Sequence, residues 1–285
     1  MGWLYYWNTL LAFSVVFPSL AFEPPVPWSQ HGSAVATIIK VPTSLASSLL
    51  PEEVRSDSQF EIKSSLKGST TTGSFYLAEY DTSSSVTYNE LIVSSATLNF
   101  APAAAVAGSN TNSNGTGNSS TTSYSGGWLS NVYVDDENAL EAGKEVWGID
   151  KKLAVFNRSL AADGQTRTVR VTDPDTGALI VAATYLEGGG AAFPWSSQET
   201  TLSVSLDGAG QVLYSATPEN FRVAPVDSGI AFEIPPGSPL YGLLGDGGAA
   251  SGVTVTSTSL LENCTLDMEA PSVAGELQLQ TARVH

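Results

Sequence analysis

The sequence predicts a mainly β domain of the α+β class, with its strands closed into an antiparallel barrel and a few helices at the periphery. The first observation behind this prediction is that short β-branched segments bounded by turn residues recur along the chain. The second is that few windows show helical periodicity. Because closure removes exposed strand edges, many short strands favour a barrel. With 285 residues, 42% of them hydrophobic, the chain can bury a sizeable core.

The individual strands are predicted from runs that are β-branched or partly alternating. They span residues 34–41, 74–78, 91–100, 128–134, 166–171, 178–185, 201–206, 211–216, 230–234, 253–267 and 275–284. A short helix is predicted over residues 43–50, because Thr43 or Ser44 can cap its first turn and Pro51 stops it. Residues 139–143 are predicted to form a turn or a short helix.

Residues 23–285 are predicted to form one domain, since the sequence shows no internal repeat and no second folding unit. Inside it, residues 101–127 change character from an alanine patch to small polar residues. Such a composition cannot bury enough apolar surface to offset the entropy of ordering it, so a flexible low-complexity loop is predicted. The loop is interpreted either as a lid over a site or as a plain surface hairpin.

The N-terminal residues 1–22 contain an apolar run that fits a signal peptide or a membrane anchor, with a possible cleavage site near Ala21. No lysine or arginine precedes the run, so a core strand or helix is the alternative. N-x-S/T sequons, which support an extracytoplasmic route, occur at Asn114, Asn118, Asn157 and Asn263. We therefore expect a secreted or membrane-anchored glycoprotein, with a cytoplasmic location as the alternative.

Composition and charge exclude several classes of function. The net charge of −16 and the pI near 4.3 are opposite to the basic footprint of a nucleic-acid-binding protein. A single cysteine, Cys264, allows no intramolecular disulfide. The two histidines, His31 and His285, belong to no motif with metal-ligand spacing. We therefore predict no nucleic-acid partner, no metal and no cofactor.

A lysine pair is the feature of the sequence that points most directly to chemistry. Lys151 and Lys152 lie in the stretch GKEVWGIDKKLAVF, residues 143–156, and apolar residues flank them on both sides. A neighbouring ammonium and removal from water both disfavour the charged form of a lysine. The neutral amine attacks ketones and forms a Schiff base. Adjacent lysines are common, and from the spacing alone they are usually a pair of solvated side chains.

The stretch GKEVWGIDKKLA resembles the lysine motif of the acetoacetate decarboxylase family, in which activation of a lysine by a neighbouring cation is already established. The segment YDTSSSVTYNE, residues 80–90, is similar to that family's segment ending in Y-x-E. By pattern, the resemblance covers roughly residues 24–245. It implies a cone-like double-layered barrel, Lys151 as the Schiff-base lysine, Lys152 as the neighbour that keeps it neutral, and Glu90 as the catalytic glutamate.

Departures from the family's pattern bear on the substrate. Gly32 stands where the family has an arginine near the first strand, and Phe75 stands where it has a second glutamate. Asp150 replaces the proline before the lysines, and its charge would favour the lysine ammonium if it pointed inward. A substrate larger or less charged than acetoacetate is therefore expected. The substrate pocket is predicted to include Phe75, Tyr88, Trp147 and His31.

These observations together predict a carbon–carbon lyase that forms a Schiff base with a keto acid, with decarboxylation of a β-keto acid other than acetoacetate as the expected reaction. The same lysine would also serve an aldolase or a dehydratase. A non-catalytic barrel that binds small molecules is the alternative from a different class. The expected partner is a small-molecule keto acid, and assembly into a homo-oligomer is expected.

Overall fold

The computed structural model describes residues 28–66, 68–100, 124–187, 193–195, 201–207, 210–219, 221–245, 251–268 and 272–273. Fifteen strands make up most of this part of the chain. They are β1 Trp28–Pro42, β2 Phe60–Ile62, β3 Thr70–Tyr80, β4 Asn89–Phe100, β5 Tyr124–Val134, β6 Lys151–Leu153, β7 Val155–Leu160, β8 Thr166–Thr172, β9 Leu179–Glu187, β10 Phe193–Trp195, β11 Thr201–Asp207, β12 Gly210–Glu219, β13 Phe221–Glu233, β14 Thr254–Met268 and β15 Ser272–Val273. The helices are α1 Thr43–Leu49, α2 Glu52–Ser56, α3 Glu137–Trp147 and α4 Tyr241–Leu244.

The strands join into one mixed sheet rather than a closed antiparallel barrel. Its main path runs β15-β12-β11-β5-β4-β3-β1-β14-β13-β9-β8-β7, with β7 and β15 at the two ends. Strand β5 pairs in parallel with both β6 and β11, while the other pairings are antiparallel. The prediction of a closed antiparallel barrel is therefore wrong, although the prediction of a mainly β chain is confirmed.

The parallel pair β5 and β6 has a clear origin in the chain. Parallel neighbours need a crossover connection, usually a helix, and here that connection is α3. The sequence predicted only a turn or short helix at residues 139–143, whereas α3 extends over Glu137–Trp147. A helix of this length carries the chain back across the sheet, so that Lys151 lies beside Val132 of β5.

Both ends of α3 are fixed by local interactions. The Asp136 side chain accepts a hydrogen bond from the backbone N–H of Ala139 at 2.9 Å, which caps the first turn. At the other end Gly148 adopts a left-handed conformation with φ of 61°, where a side chain would be strained. The buried residues of α3 recur at helical spacing and therefore place one face on the sheet; they are Ala139, Ala142, Gly143 and Trp147.

The central strands β1, β3, β4 and β5 are buried on both faces. Because side chains alternate along a strand, each strand contributes to two separate cores. The larger core includes Val35, Ile39, Phe75, Leu77, Leu91, Val93 and Tyr133. The other face, which we call the helix side because α3 covers it, includes Ala34, Ala78, Tyr80, Val132 and Val134.

Several sequence predictions fall wholly or partly outside the described residues. They include the signal peptide or anchor at residues 1–22, the strand at 275–284 and most of the low-complexity loop at 101–127. The last four residues of that predicted loop, 124–127, belong to β5 instead. Among the described residues, no helix has both the length and the hydropathy that crossing a membrane requires.

The buried thiol of Cys264 leads to a prediction about alkaline stability. Burial raises its pKa from 9.0 to about 11. In the unfolded chain the thiol ionises near pH 9. The contribution of the buried, neutral thiol to the free energy of unfolding is therefore complete below pH 9 and is lost as pH rises towards 11. We expect unfolding by urea to show a loss of stability between pH 9 and 11 that is smaller in Cys264→Ala by ~1–2 kcal/mol. Equal losses of stability in the wild type and in Cys264→Ala would show that ionisation of the Cys264 thiol does not cause the loss.

Candidate active site

A buried ion pair lies at the centre of the helix side of the sheet. The Lys151 ammonium donates a hydrogen bond to Oε1 of Glu90 at 2.8 Å, although the two residues are 61 positions apart in the chain. Lys151 is 2% exposed and Glu90 is 4% exposed. Strand register accounts for their meeting, since β4 places Glu90 beside Val134 of β5 and β6 places Lys151 beside Val132. Burying two charges is costly, so such a pair suggests function more than stability.

Helix α3 leaves space for the lysine by presenting a glycine. A Cβ atom added to Gly143 would overlap with three carbon atoms of the Lys151 side chain. Glycine in the middle of a helix costs about 1 kcal/mol relative to alanine. The side chain of Lys151 therefore lies across the backbone of α3, and Gly143 is what allows it to reach Glu90.

The fit between Gly143 and Lys151 can be tested by Gly143→Ala. We expect the added methyl group to displace the lysine and to lower borohydride trapping of an imine at Lys151 at least about tenfold, since a small misplacement has large kinetic effects. Glu141→Ala, at an exposed position of the same helix, is the matched control and should keep trapping at the wild-type level. Efficient trapping in Gly143→Ala would show that the lysine does not need this gap.

Glu90 is also held by a tyrosine. The hydroxyl of Tyr80 donates to Oε2 of Glu90 at 3.2 Å, so both carboxylate oxygens have a donor. Burial, with Glu90 nearby, raises the pKa of Tyr80 well above its usual value. Burial, together with Cys264 and Glu90, also raises the pKa of Tyr76. Tyr80 therefore stays protonated at neutral pH and remains a donor to Glu90.

The backbone next to Glu90 is anchored by a polar network. Asp135 accepts hydrogen bonds from the backbone N–H and the side-chain amide of Asn89, at 2.7 and 2.8 Å. The Nε of Arg158 donates to the Asn89 side-chain oxygen at 2.9 Å. These contacts fix the start of β4, and with it the position of Glu90.

Aromatic rings form the apolar part of the site. The Lys151 ammonium lies 5.4 Å from the ring centroid of Tyr88, at a distance typical of a cation–π contact. Tyr88 in turn lies 4.8 Å from Tyr80 and 6.5 Å from Trp28, between ring centroids. Trp28 packs on Trp147 with 4.7 Å between centroids. Of the predicted pocket residues, Tyr88 thus contacts the lysine, whereas Trp147 is linked to Tyr88 only through Trp28.

The structure does not bring Lys152 into this cluster. Its side chain is exposed on the opposite face of β6, with the ammonium 5.9 Å from the ring centroid of Tyr133. Adjacent residues of a strand point to opposite faces, which separates Lys152 from Lys151. Asp150 is exposed as well. The neighbour of the Lys151 ammonium is the Glu90 carboxylate, not the second ammonium that the sequence suggested.

Two other predicted pocket residues also lie elsewhere. Phe75 is in the larger core, where its ring centroid is 5.0 Å from that of Phe232. It is on the face of β3 opposite Tyr80, because the two positions differ by an odd number. The His31 ring is partly exposed and interacts with Asp81 at 2.8 Å. Neither residue lines the Lys151–Glu90 cluster.

Gly32 also occupies a position that no side chain can fill. A Cβ atom there would overlap with the backbone carbonyl of Glu79 on β3. Gly32 therefore allows the backbones of β1 and β3 to approach each other closely at this position. On the same face of β1, the residue two positions earlier is Gln30, and its side chain is completely buried.

Sequence reasoning missed Tyr80, Gly143 and Gln30. Tyr80 and Glu90 flank a turn, and their shared face becomes evident only from the pairing of β3 with β4. Gly143 carries no chemical signal by itself. Gln30 could have been noticed as a polar residue two positions after Trp28 in a strand-like segment, but the predicted strand began only at residue 34.

Comparisons with known proteins agree with this architecture. No protein-family model matches the sequence, and no curated protein matches it. Among solved structures, acetoacetate decarboxylase from Legionella pneumophila is similar over 92% of this chain and 93% of its own, with TM-score 0.58 and 15% identity.

Two further solved structures have the same arrangement. An acetoacetate decarboxylase-like enzyme from Sphingomonas wittichii is similar over 91% of this chain and 96% of its own, with TM-score 0.53 and 12% identity. The enduracididine biosynthesis enzyme MppR is similar over 90% of both chains, with TM-score 0.55 and 12% identity. This chain has the acetoacetate decarboxylase-like fold. The resemblance seen in the sequence motifs is thus confirmed at the level of fold.

Proposed function

We propose that this protein with the acetoacetate decarboxylase-like fold is a Schiff-base-forming lyase that decarboxylates a β-keto acid other than acetoacetate. The observation that carries the proposal is the buried contact of 2.8 Å between Lys151 and Glu90. A lysine removed from water and beside a proton acceptor is suited to nucleophilic attack on a ketone. The fold shared with acetoacetate decarboxylase gives independent support for a lyase.

The pair supplies the proton transfers that the reaction needs. Glu90 takes a proton from the Lys151 ammonium, and the free amine adds to the ketone carbon. Glu90 returns this proton to the departing hydroxyl, so that water leaves, a protonated imine remains and Glu90 is again a carboxylate. The bond to the carboxyl carbon then breaks, carbon dioxide leaves, and the electron pair moves towards the imine nitrogen as a neutral enamine forms. Glu90 relays a proton from solvent to the enamine carbon, and hydrolysis of the resulting imine releases the ketone.

The surroundings of the pair favour a substrate with an apolar body. Tyr88 lies against the lysine, and Trp28 and Trp147 extend this aromatic cluster away from it. No side chain is possible at Gly32, so that position supplies no charge. Aromatic surfaces bind alkyl and aryl groups by burying apolar area. Long-chain or aromatic β-keto acids are therefore the proposed substrates, and acetoacetate is expected to react poorly.

The same lysine supports a second candidate reaction, aldol addition or dehydration. One solved structure similar to this chain is MppR complexed with the condensation product of pyruvate and imidazole 4-carboxaldehyde, with TM-score 0.51. An imine formed at Lys151 would stabilise the carbanion of either reaction in the same way. The products separate the candidates, because only decarboxylation releases carbon dioxide.

The decisive experiment is borohydride reduction in the presence of a long-chain or aromatic β-keto acid, followed by peptide mapping. We expect the reduced adduct on Lys151 and release of carbon dioxide under turnover conditions. Acetoacetate at equal concentration should give much less of both. Label that lands on another lysine would refute the mechanism. Binding of the keto acid with neither imine nor turnover would favour a binding protein that has lost its chemistry.

A further inference from the structure

The side chain of Gln30 is an unexplained feature of the helix side. It is 0% exposed, yet among the described residues neither its amide oxygen nor its amide nitrogen has a hydrogen-bond partner. Trp28, two positions earlier, is also 0% exposed, and its indole N–H lacks a partner in the same part of the structure. Buried polar groups in native proteins are nearly always paired, and each orphaned group calls for a specific explanation.

Strand register places this amide beside the active site. Gly32 of β1 lies directly opposite Tyr80 of β3, which makes Gln30 a diagonal neighbour of the tyrosine that donates to Glu90. On its other side Gln30 is paired with Leu266 of β14. Leu266 packs against both helix-side clusters, the one with Trp28 and the one with Tyr80. Gln30 therefore belongs to the same buried face as the ion pair.

We propose that Gln30, assisted by Trp28, forms a neutral hydrogen-bonding subsite that binds an uncharged carboxamide or hydroxyl group at the distal end of the keto acid. This inference rests on the proposed function, because it describes the far end of the substrate that Lys151 attacks. It adds a requirement at the distal end of the substrate, which the aromatic side chains alone do not impose. The preferred substrate has an apolar body that ends in a neutral polar group.

The chemistry of the two side chains selects a neutral group. A glutamine amide offers one acceptor and two hydrogens, and an indole offers one hydrogen. A carboxamide or a hydroxyl presents both a donor and an acceptor and satisfies them. A distal carboxylate would be buried against the Gln30 oxygen, and the Lys151 ammonium of this cluster is already paired with Glu90. A distal methyl group would leave the amide unpaired, at a cost in binding.

The test measures binding of β-hydroxy acids, which cannot form an imine, by calorimetry on the full-length protein. The series has equal chain length and ends in a methyl, a hydroxyl, a carboxamide or a carboxylate group. We expect the hydroxyl or carboxamide ligand to bind at least about tenfold more tightly than the methyl ligand. In Gln30→Met, which keeps the side-chain length, the ratio of the affinity for the hydroxyl or carboxamide ligand to that for the methyl ligand should be close to one. Gln165→Met, at an exposed position, should leave it unchanged.

The midpoint of thermal unfolding of Gln30→Met shows whether this variant is folded, and Trp28→Phe provides a second variant if it is not. Replacing an unpaired buried amide by an apolar side chain should keep or raise the midpoint of thermal unfolding. If Gln30→Met does not fold, Trp28→Phe removes the indole N–H and should lower the ratio in part. A ratio unaffected by both variants, a wild-type preference for the methyl or carboxylate ligand, or no binding of any ligand would overturn the proposal. Because no imine is involved, failure of borohydride trapping does not affect this result.

Discussion

Replacing Lys151 by methionine is expected to abolish imine trapping and to destabilise the protein by ~3–5 kcal/mol, because it leaves the Glu90 carboxylate buried without its counter-charge. Urea unfolding at neutral pH measures the second effect. The double variant Lys151→Met with Glu90→Gln should recover most of the lost stability, since neither charge then remains. It should not recover trapping.

The matched control for this substitution is Lys152→Met. Its ammonium is exposed on the opposite face of β6, so we expect a change in stability within about 0.5 kcal/mol and continued trapping at Lys151. A loss of trapping in Lys152→Met would restore the idea that the second ammonium activates the first. A Lys151→Met variant as stable as the wild type would show that the pair is solvated in solution.

Glu90→Gln is expected to separate imine formation from turnover. Glutamine keeps the shape of the side chain but cannot take or return a proton, so turnover of the β-keto acid should fall by ~10²–10⁴-fold. Borohydride trapping at Lys151 should remain largely intact, because a buried lysine without a counter-charge favours the neutral amine. The two readouts are rates of carbon dioxide release and the yield of reduced adduct.

An exposed glutamate on the adjacent strand serves as the control. Glu79 is paired with Arg158 at 3.3 Å and points away from the helix side, so Glu79→Gln should leave both readouts near wild type. Turnover that survives in Glu90→Gln would assign the proton transfer to another group, and Tyr80 would be the first to examine.

Short segments that resemble a family motif led the sequence analysis to Lys151 and Glu90, and the structure places these two side chains in contact. The distance between the Lys151 and Glu90 side chains could not be inferred from these segments. It depends on the register of β4, β5 and β6, and one step of slippage would have turned either side chain to the other face. The most local predictions, such as helix α1 after Pro42, were also the most accurate.

The differences between the predicted and the observed positions have separate physical causes. Phe75 was assigned to the pocket from its place in an aligned pattern, but the strand it occupies is buried on both faces and burial alone does not tell them apart. Lys152 was placed beside the Lys151 ammonium because the two are adjacent in sequence, but adjacent residues of a strand point to opposite faces. The closed barrel was inferred from many short strands. The crossover through α3, which makes β6 parallel to β5, was missed because the predicted turn or short helix covered only residues 139–143.

The pairing of β1 with β14 has a consequence for how the protein is made. Trp28 lies opposite Met268, and Gln30 lies opposite Leu266, so this wall of the site joins two segments from opposite ends of the described chain. On the ribosome, β1 must wait until β14 has emerged before this partner exists. A nascent or prematurely terminated chain can contain both Lys151 and Glu90 and still lack a finished site. Under the proposed mechanism, the wall of the site that contains Trp28 and Gln30 is therefore completed only after β14 has been synthesised.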